Sequence, residues 1–242
     1  TRHLTRALPR PTAAKNARRA APRAMGRASA LKNVRIFYTK TERMKFVSHL
    51  DMNRLMSRII MRADIPVWYT EGFNQRIYIN YAVPLSLGFE GLYEIIDIRL
   101  TDDNYPLDTL PQRLNGVSVP GIEFIRAAEP RLPTKDICFA GYRLQFDSAE
   151  FFPELENFLS RESVICQKRD KRGGTKDFDI IPSIKSFELT GNAAQFVLAA
   201  GNNGSLNPSL IMSAFFEQTK TAPVYCTVTR YMLFDGNMKE FI

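Results

Sequence analysis

The chain has 242 residues, 45% of them hydrophobic, enough to bury a real core in one large domain or two small ones. It lacks the apolar run of roughly 18–20 residues that a membrane helix needs, so a soluble protein is expected. Its three scattered cysteines, Cys138, Cys166 and Cys226, argue against a disulfide framework or a zinc or iron–sulfur site, and predict a reducing, cytoplasmic setting.

The net charge of +8 is unevenly placed. Residues 1–32 hold nine of the 33 Lys and Arg and none of the 25 acids, which leaves 24 bases against 25 acids, a net of −1, for residues 33–242. The tail "TRHLTRALPRPTAAKNARRAAPRAMGRASA" is predicted to be disordered, because it cannot bury enough surface to offset its ordering entropy. Three readings of it stay open: a nucleic-acid-binding arm, a transit peptide, or translated upstream sequence ahead of a start at Met25.

From residue 33 the elements follow in order. "VRIFYTK" alternates branched or aromatic with polar residues and reads as a strand, extended by "MKFV". Ser48 reads as an N-cap with Asp51 as its capping-box partner. Met52, Leu55, Met56, Ile59, Ile60 and Ala63 then have the spacing of one buried helix face, stopped by Pro66. "RIYINYAVPL" and "YEIIDIRLT" read as strands, "LDTLPQRLNG" as a helix and "GIEFIRAAE" as a strand. After Pro130 and Pro133 the order repeats with one additional strand: strand "ICFAGYRLQF", helix "FPELENFLSRE", strands "VICQKRD" and "KDFDIIPSI", two more strands in "KSFELTGNAAQFVLAAG", helix "NPSLIMSAFFEQT" and strand "VYCTVTRYML". The predicted fold is α+β: two ferredoxin-like βαββαβ units in tandem, residues 33–130 and 134–242, with antiparallel sheets and helices on one face.

Four stretches carry candidate chemistry. His49 falls near the edge of the helix's apolar face and is predicted to be half-buried; proton transfer, with Asp51 orienting it, is the alternative. Arg54, Arg58 and Arg62 form a stripe away from the core, either a solvated face or a phosphate site. "KRDKRGGTK" sets Lys168, Arg169, Lys171, Arg172 and Lys176 around Gly173-Gly174: an exposed hairpin tip, or a basic finger that follows a nucleic-acid backbone. "YTEGFNQ" places Tyr69 and Phe73 in a loop, free to stack on bases or to fold back over the sheet. GxGxxG, Walker lysine, GxSxG and HExxH motifs are absent.

The blocks "VRIFYTKTERMKFVSHLDMNRLMSRIIMRADIPVWYTEGFN", "PLSLGFEGLYEIIDIRL", "GTKDFDIIPSI" and "LAAGNNGSLNPSLIM" resemble the radical-SAM-linked bacterial domain of unknown function over about residues 33–236. The matching positions are Ser48, His49, Leu50, Asp51 and Arg54; Gly72, Phe73 and Asn74; Asp179 and Pro182; Asn207 and Pro208; and Arg230. One departure stands out: Gln75, Arg76 and Ile77 follow where the family continues Pro-His-Pro. Members of that family are encoded beside, or fused to, a radical SAM protein, and close to ribonuclease G and ribosomal-protein genes. The resemblance therefore implies a non-catalytic partner that presents RNA to a separate radical SAM enzyme. The cofactors, an iron–sulfur cluster and S-adenosylmethionine, would sit in that enzyme and none in this chain. The alternatives are a metal-independent RNA-processing enzyme using His49 and Asp51, and a pure protein-interaction scaffold.

Overall fold

The computed structural model describes residues 31–169, 174–201 and 204–242; the expected disordered tail lies, up to residue 30, outside them. The order is β1 (Lys32–Lys40), a 3-10 turn (Glu42–Phe46), α1 (His49–Arg62), β2 (Ile79–Tyr81), β3 (Glu90–Leu100), α2 (Leu110–Asn115) and β4 (Ile122–Ala128). It continues with β5 (Ile137–Phe146), α3 (Phe152–Leu159), β6 (Ile165–Arg169), β7 (Thr175–Asp179), β8 (Ile184–Thr190), β9 (Ala193–Ala199), α4 (Pro208–Thr219) and β10 (Cys226–Asp235).

The architecture is α+β with an antiparallel-rich sheet. Eight strands join in the order β4-β1-β3-β10-β5-β9-β8, with β2 also on β3, while β6 and β7 make a separate two-stranded sheet. In the first half the order β4-β1-β3-β2 is antiparallel throughout. The second half repeats it as β10-β5-β9-β8. The sequence predicts antiparallel pairing alone; the exception is the short parallel seam of Thr229 with Glu90 and Arg230 with Gly91, which fuses the two halves into one sheet.

The alternation in β1 explains its position. Val34, Ile36 and Tyr38 pack with Met52, Met56, Ile59 and Ile60 of α1, at the expected helical spacing, and with Leu110 and Leu114 of α2. Phe37, one step out of phase, belongs instead to the second core, built on α3, α4, β5 and β9. That core is aromatic: Phe146 meets Phe151 edge-on at 5.1 Å, and Phe158 meets Phe215 at 5.4 Å. Each such buried ring stabilises the fold by about 1.5–3 kcal/mol.

Three local expectations are corrected. "MKFV" does not extend β1, because Met44 N and Val47 N bond back to Thr41 O and Met44 O and close a 3-10 turn. α1 stops at Arg62, ahead of Pro66, where Asp64 turns left-handed at φ 52°. β2 is only three residues long, because Arg76 to Tyr78 pair with Trp68 to Thr70 instead.

Candidate functional site

The seam between the halves is polar at its centre. Arg230 and Glu94 are buried there, 1% and 3% exposed. Arg230 Nε donates to Glu94 Oε1 at 2.9 Å; its Nη2 donates to Glu94 Oε2 and, at 2.6 Å, to Val83 O. Burial works against the Arg230 charge, but the Glu94 carboxylate outweighs it and holds the guanidinium above its ordinary pKa. Gly91 makes room for this, since a Cβ at that position would run into the Glu94 side chain. Lys40, also buried, donates to Val47 O at 3.1 Å, and burial lowers its pKa against the opposing pull of Glu94. Burial raises the Tyr38 pKa, and Glu94 adds to it.

Several motif positions converge on the segment that follows β2. His49 meets Tyr81 edge-on, ring centroids 4.8 Å apart. Asn207, the N-cap of α4, accepts from Ser209 N at 2.8 Å and donates to Ser86 Oγ at 3.0 Å, and Pro208 is buried at the helix start. Gly88 N donates to Lys45 O at 2.8 Å. The segment is thus held by Arg230 and Asn207 from one half and by Lys45 from the other.

The start of α1 is a cap. Ser48 Oγ accepts from Asp51 N at 3.2 Å and donates to Asp51 Oδ2 at 2.8 Å, while Arg54 Nη1 donates to Asp51 Oδ1 at 3.0 Å. The Ser48 hydroxyl, then Arg54, hold the Asp51 carboxyl below its ordinary pKa. Both its oxygens are engaged, and no hydrogen bond joins it to His49 among the described residues. His49 is exposed, contrary to the half-buried expectation, because it is the first helical residue and the buried face begins only at Met52. Leu50, Arg54, Arg58 and Arg62 are exposed as well.

The Gly-Phe-Asn loop is the tip of an arm. Tyr69 bridges Ile77, Thr70 N donates to Arg76 O at 2.7 Å and Tyr78 N to Trp68 O at 3.3 Å, and Trp68 N anchors the stem to Arg99 O at 2.8 Å. Gly72 turns the tip at φ 120°. Phe73 does not fold back over the sheet: it is completely exposed, and Asn74 beside it is exposed too. At the stem, the Arg99 guanidinium lies 5.2 Å from the Trp68 ring and 4.5 Å from the Tyr78 ring.

The basic stretch forms the β6–β7 hairpin of the second half, with Lys168 opposite Lys176 and Arg169 opposite Thr175. Lys171 and Arg172, with Gly173 of the predicted turn, lie outside the described residues. Asp179 closes the hairpin by accepting from Val164 N at 3.0 Å and Ile181 N at 3.1 Å, beside the turn that holds Pro182. The hairpin meets α4, where Gln218 donates to Ile165 O at 2.8 Å, so it stands on a different half from the arginines of α1.

A family described as an uncharacterised protein conserved in bacteria, DUF2344, matches residues 33–208. The chain belongs to this family. The match takes in the α1 cap, the arm, the hairpin and the α4 cap, and ends before Arg230. A comparison with curated proteins finds no match. Among solved structures, the chain is similar to a protein described as a glycine cleavage system transcriptional repressor, at 10% identity and TM-score 0.25, covering 86% of this chain and 100% of that one. It is also similar to an unknown protein from Galdieria sulphuraria, at 11% identity and TM-score 0.26, covering 83% and 99%.

Sequence reasoning picks out Arg230 only as a family position and misses Glu94, Lys40, Tyr81 and Arg99. A signal was present: Glu94 inside "YEIIDIRL" and Arg230 inside "TVTRYML" are opposite charges in mid-strand positions. No helix among the described residues is long and apolar enough to cross a membrane.

Proposed function

We propose that this protein is a non-catalytic, RNA-binding partner of a separate radical SAM enzyme, built from two ferredoxin-like units in tandem. The repeated strand orders β4-β1-β3-β2 and β10-β5-β9-β8 support the tandem reading. The observation that carries RNA binding is the β6–β7 hairpin. It stands apart from the main sheet, in a body of net charge −1, and its register sets Lys168 against Lys176. The hairpin's sequence gathers lysines and arginines in an otherwise near-neutral body, and a polyanion is the ligand that such a cluster fits. Replacing Lys168 and Lys176 together by Ala should flatten the salt dependence of RNA binding. Two lost phosphate contacts to a single strand lower the logarithmic slope by about 1.4. An unchanged slope sinks the reading.

A second surface, on the first half, suits a protein contact. Phe46, Leu50 and Leu87 are exposed large apolar residues, with Phe46 and Leu87 brought together by the Gly88–Lys45 bond. This is where the partner enzyme would dock. Leu50→Glu should weaken its binding at least about fivefold and spare RNA affinity. Equal affinity of variant and parent for the purified enzyme removes the assignment.

A further inference from the structure

The arm, residues 67–78, has no part in the hairpin's electrostatics, yet it carries an ordered series of rings and cations. From stem to tip the arm carries Arg99 against Trp68 and Tyr78, whose centroids lie 6.0 Å apart, then Arg76 two residues before Tyr78 in the chain, then Phe73 at the exposed tip. We propose that this arm is a stacking site for unpaired bases of single-stranded RNA; the proposal rests on the RNA-binding reading above.

Four observations favour a base over a protein surface. Phe73 is a completely exposed ring whose neighbours Glu71, Gly72, Asn74, Gln75 and Arg76 are exposed and non-apolar. A protein interface needs a contiguous desolvated core, whereas a base needs one π-face. The rings alternate with guanidinium groups, which stack on bases and neutralise the phosphates between them. The arm is already closed by the Thr70–Arg76 pair, with Thr70 N to Arg76 O at 2.7 Å and Arg76 N to Thr70 Oγ1 at 3.2 Å, so little ordering accompanies binding. Finally, Tyr78 also lines a cavity of about 330 Å³ with Asn33, Arg131, Pro130, Leu132 and Pro133, a mixed and largely apolar hollow beside the stem that suits a further base.

The chain's single tryptophan is Trp68, so the site carries its own reporter. The full chain is titrated at fixed salt with a short oligoadenylate and with an abasic ribose-phosphate strand of the same length. Trp68 fluorescence is expected to be quenched by the oligoadenylate alone. Phe73→Ala is expected to bind it about tenfold more weakly, with unchanged melting temperature and salt slope, and Phe73→Tyr to restore affinity. The abasic strand should bind the parent as weakly as the oligoadenylate binds Phe73→Ala. Equal affinity of parent and Phe73→Ala, or of the two strands, overturns the stacking site; if the hairpin variant still shows its flattened slope, the RNA reading survives that result. No binding of either strand by the full chain overturns both. Normal RNA binding by Phe73→Ala combined with lost binding to the partner enzyme gives the ring to a protein contact and overturns the proposal as well.

Discussion

Arg230→Ala is expected to lower stability by about 3–5 kcal/mol, the range for removing one partner of a buried ion pair. The substitution leaves Glu94 buried at 3% exposure without its bidentate cation, and takes the donor away from Val83 O. Lys40 cannot take over, because its ammonium is engaged with Val47 O and burial already disfavours its charge. Arg230→Lys should recover only part of the loss, since an ammonium cannot bond both carboxylate oxygens and the Val83 carbonyl in one plane. Arg230→Met together with Glu94→Leu should recover most of it, because apolar residues of similar volume replace a buried pair at little or no net cost. Chemical denaturation of the three variants checks this series. A loss below about 1 kcal/mol in Arg230→Ala would mean that water reaches the seam and solvates Glu94.

The seam shows how far the sequence could be read. Strands, helices and caps were legible wherever one face alone is buried: α1 repeats apolar residues at helical spacing, and Ser48 and Asn207 cap their helices as short polar side chains do. Elements that another part of the chain reshapes were not legible. β2 is cut short because the arm takes its first residues, and the turn after β1 closes on itself where alternation predicts a longer strand. The join between the halves rests on two residue pairs, too short a seam to leave a periodic trace in either strand. The candidate surfaces divide similarly. The basic residues of α1 and the hairpin announce themselves by charge, but whether Phe73 points outward depends on hydrogen bonds between Thr70 and Arg76 that composition does not encode.

The second buried cation makes a different prediction. Arg35, 1% exposed, lies on the face of β1 opposite α1 and bonds Asp97 through Nε at 2.8 Å and Nη2 at 3.0 Å. Its Nη1 has no hydrogen-bond partner among the described residues; beside the guanidinium, at 4.9 Å, lies the ring of Phe241. Phe241 is fully buried, and its N–H donates to Leu233 O at 2.8 Å, so a residue that follows the last strand of the second half seals a charged site of the first. Phe241→Ala should cost about 3–5 kcal/mol, from the cavity it opens and the cation–π contact it removes. Phe241→Leu separates these two contributions: it refills much of the volume but offers Arg35 no π-face, so the part it fails to recover measures the cation–π contact. Full recovery by Leu would make the contact pure packing. A loss below about 1 kcal/mol for Ala would mean that the ring is not what keeps Arg35 dry.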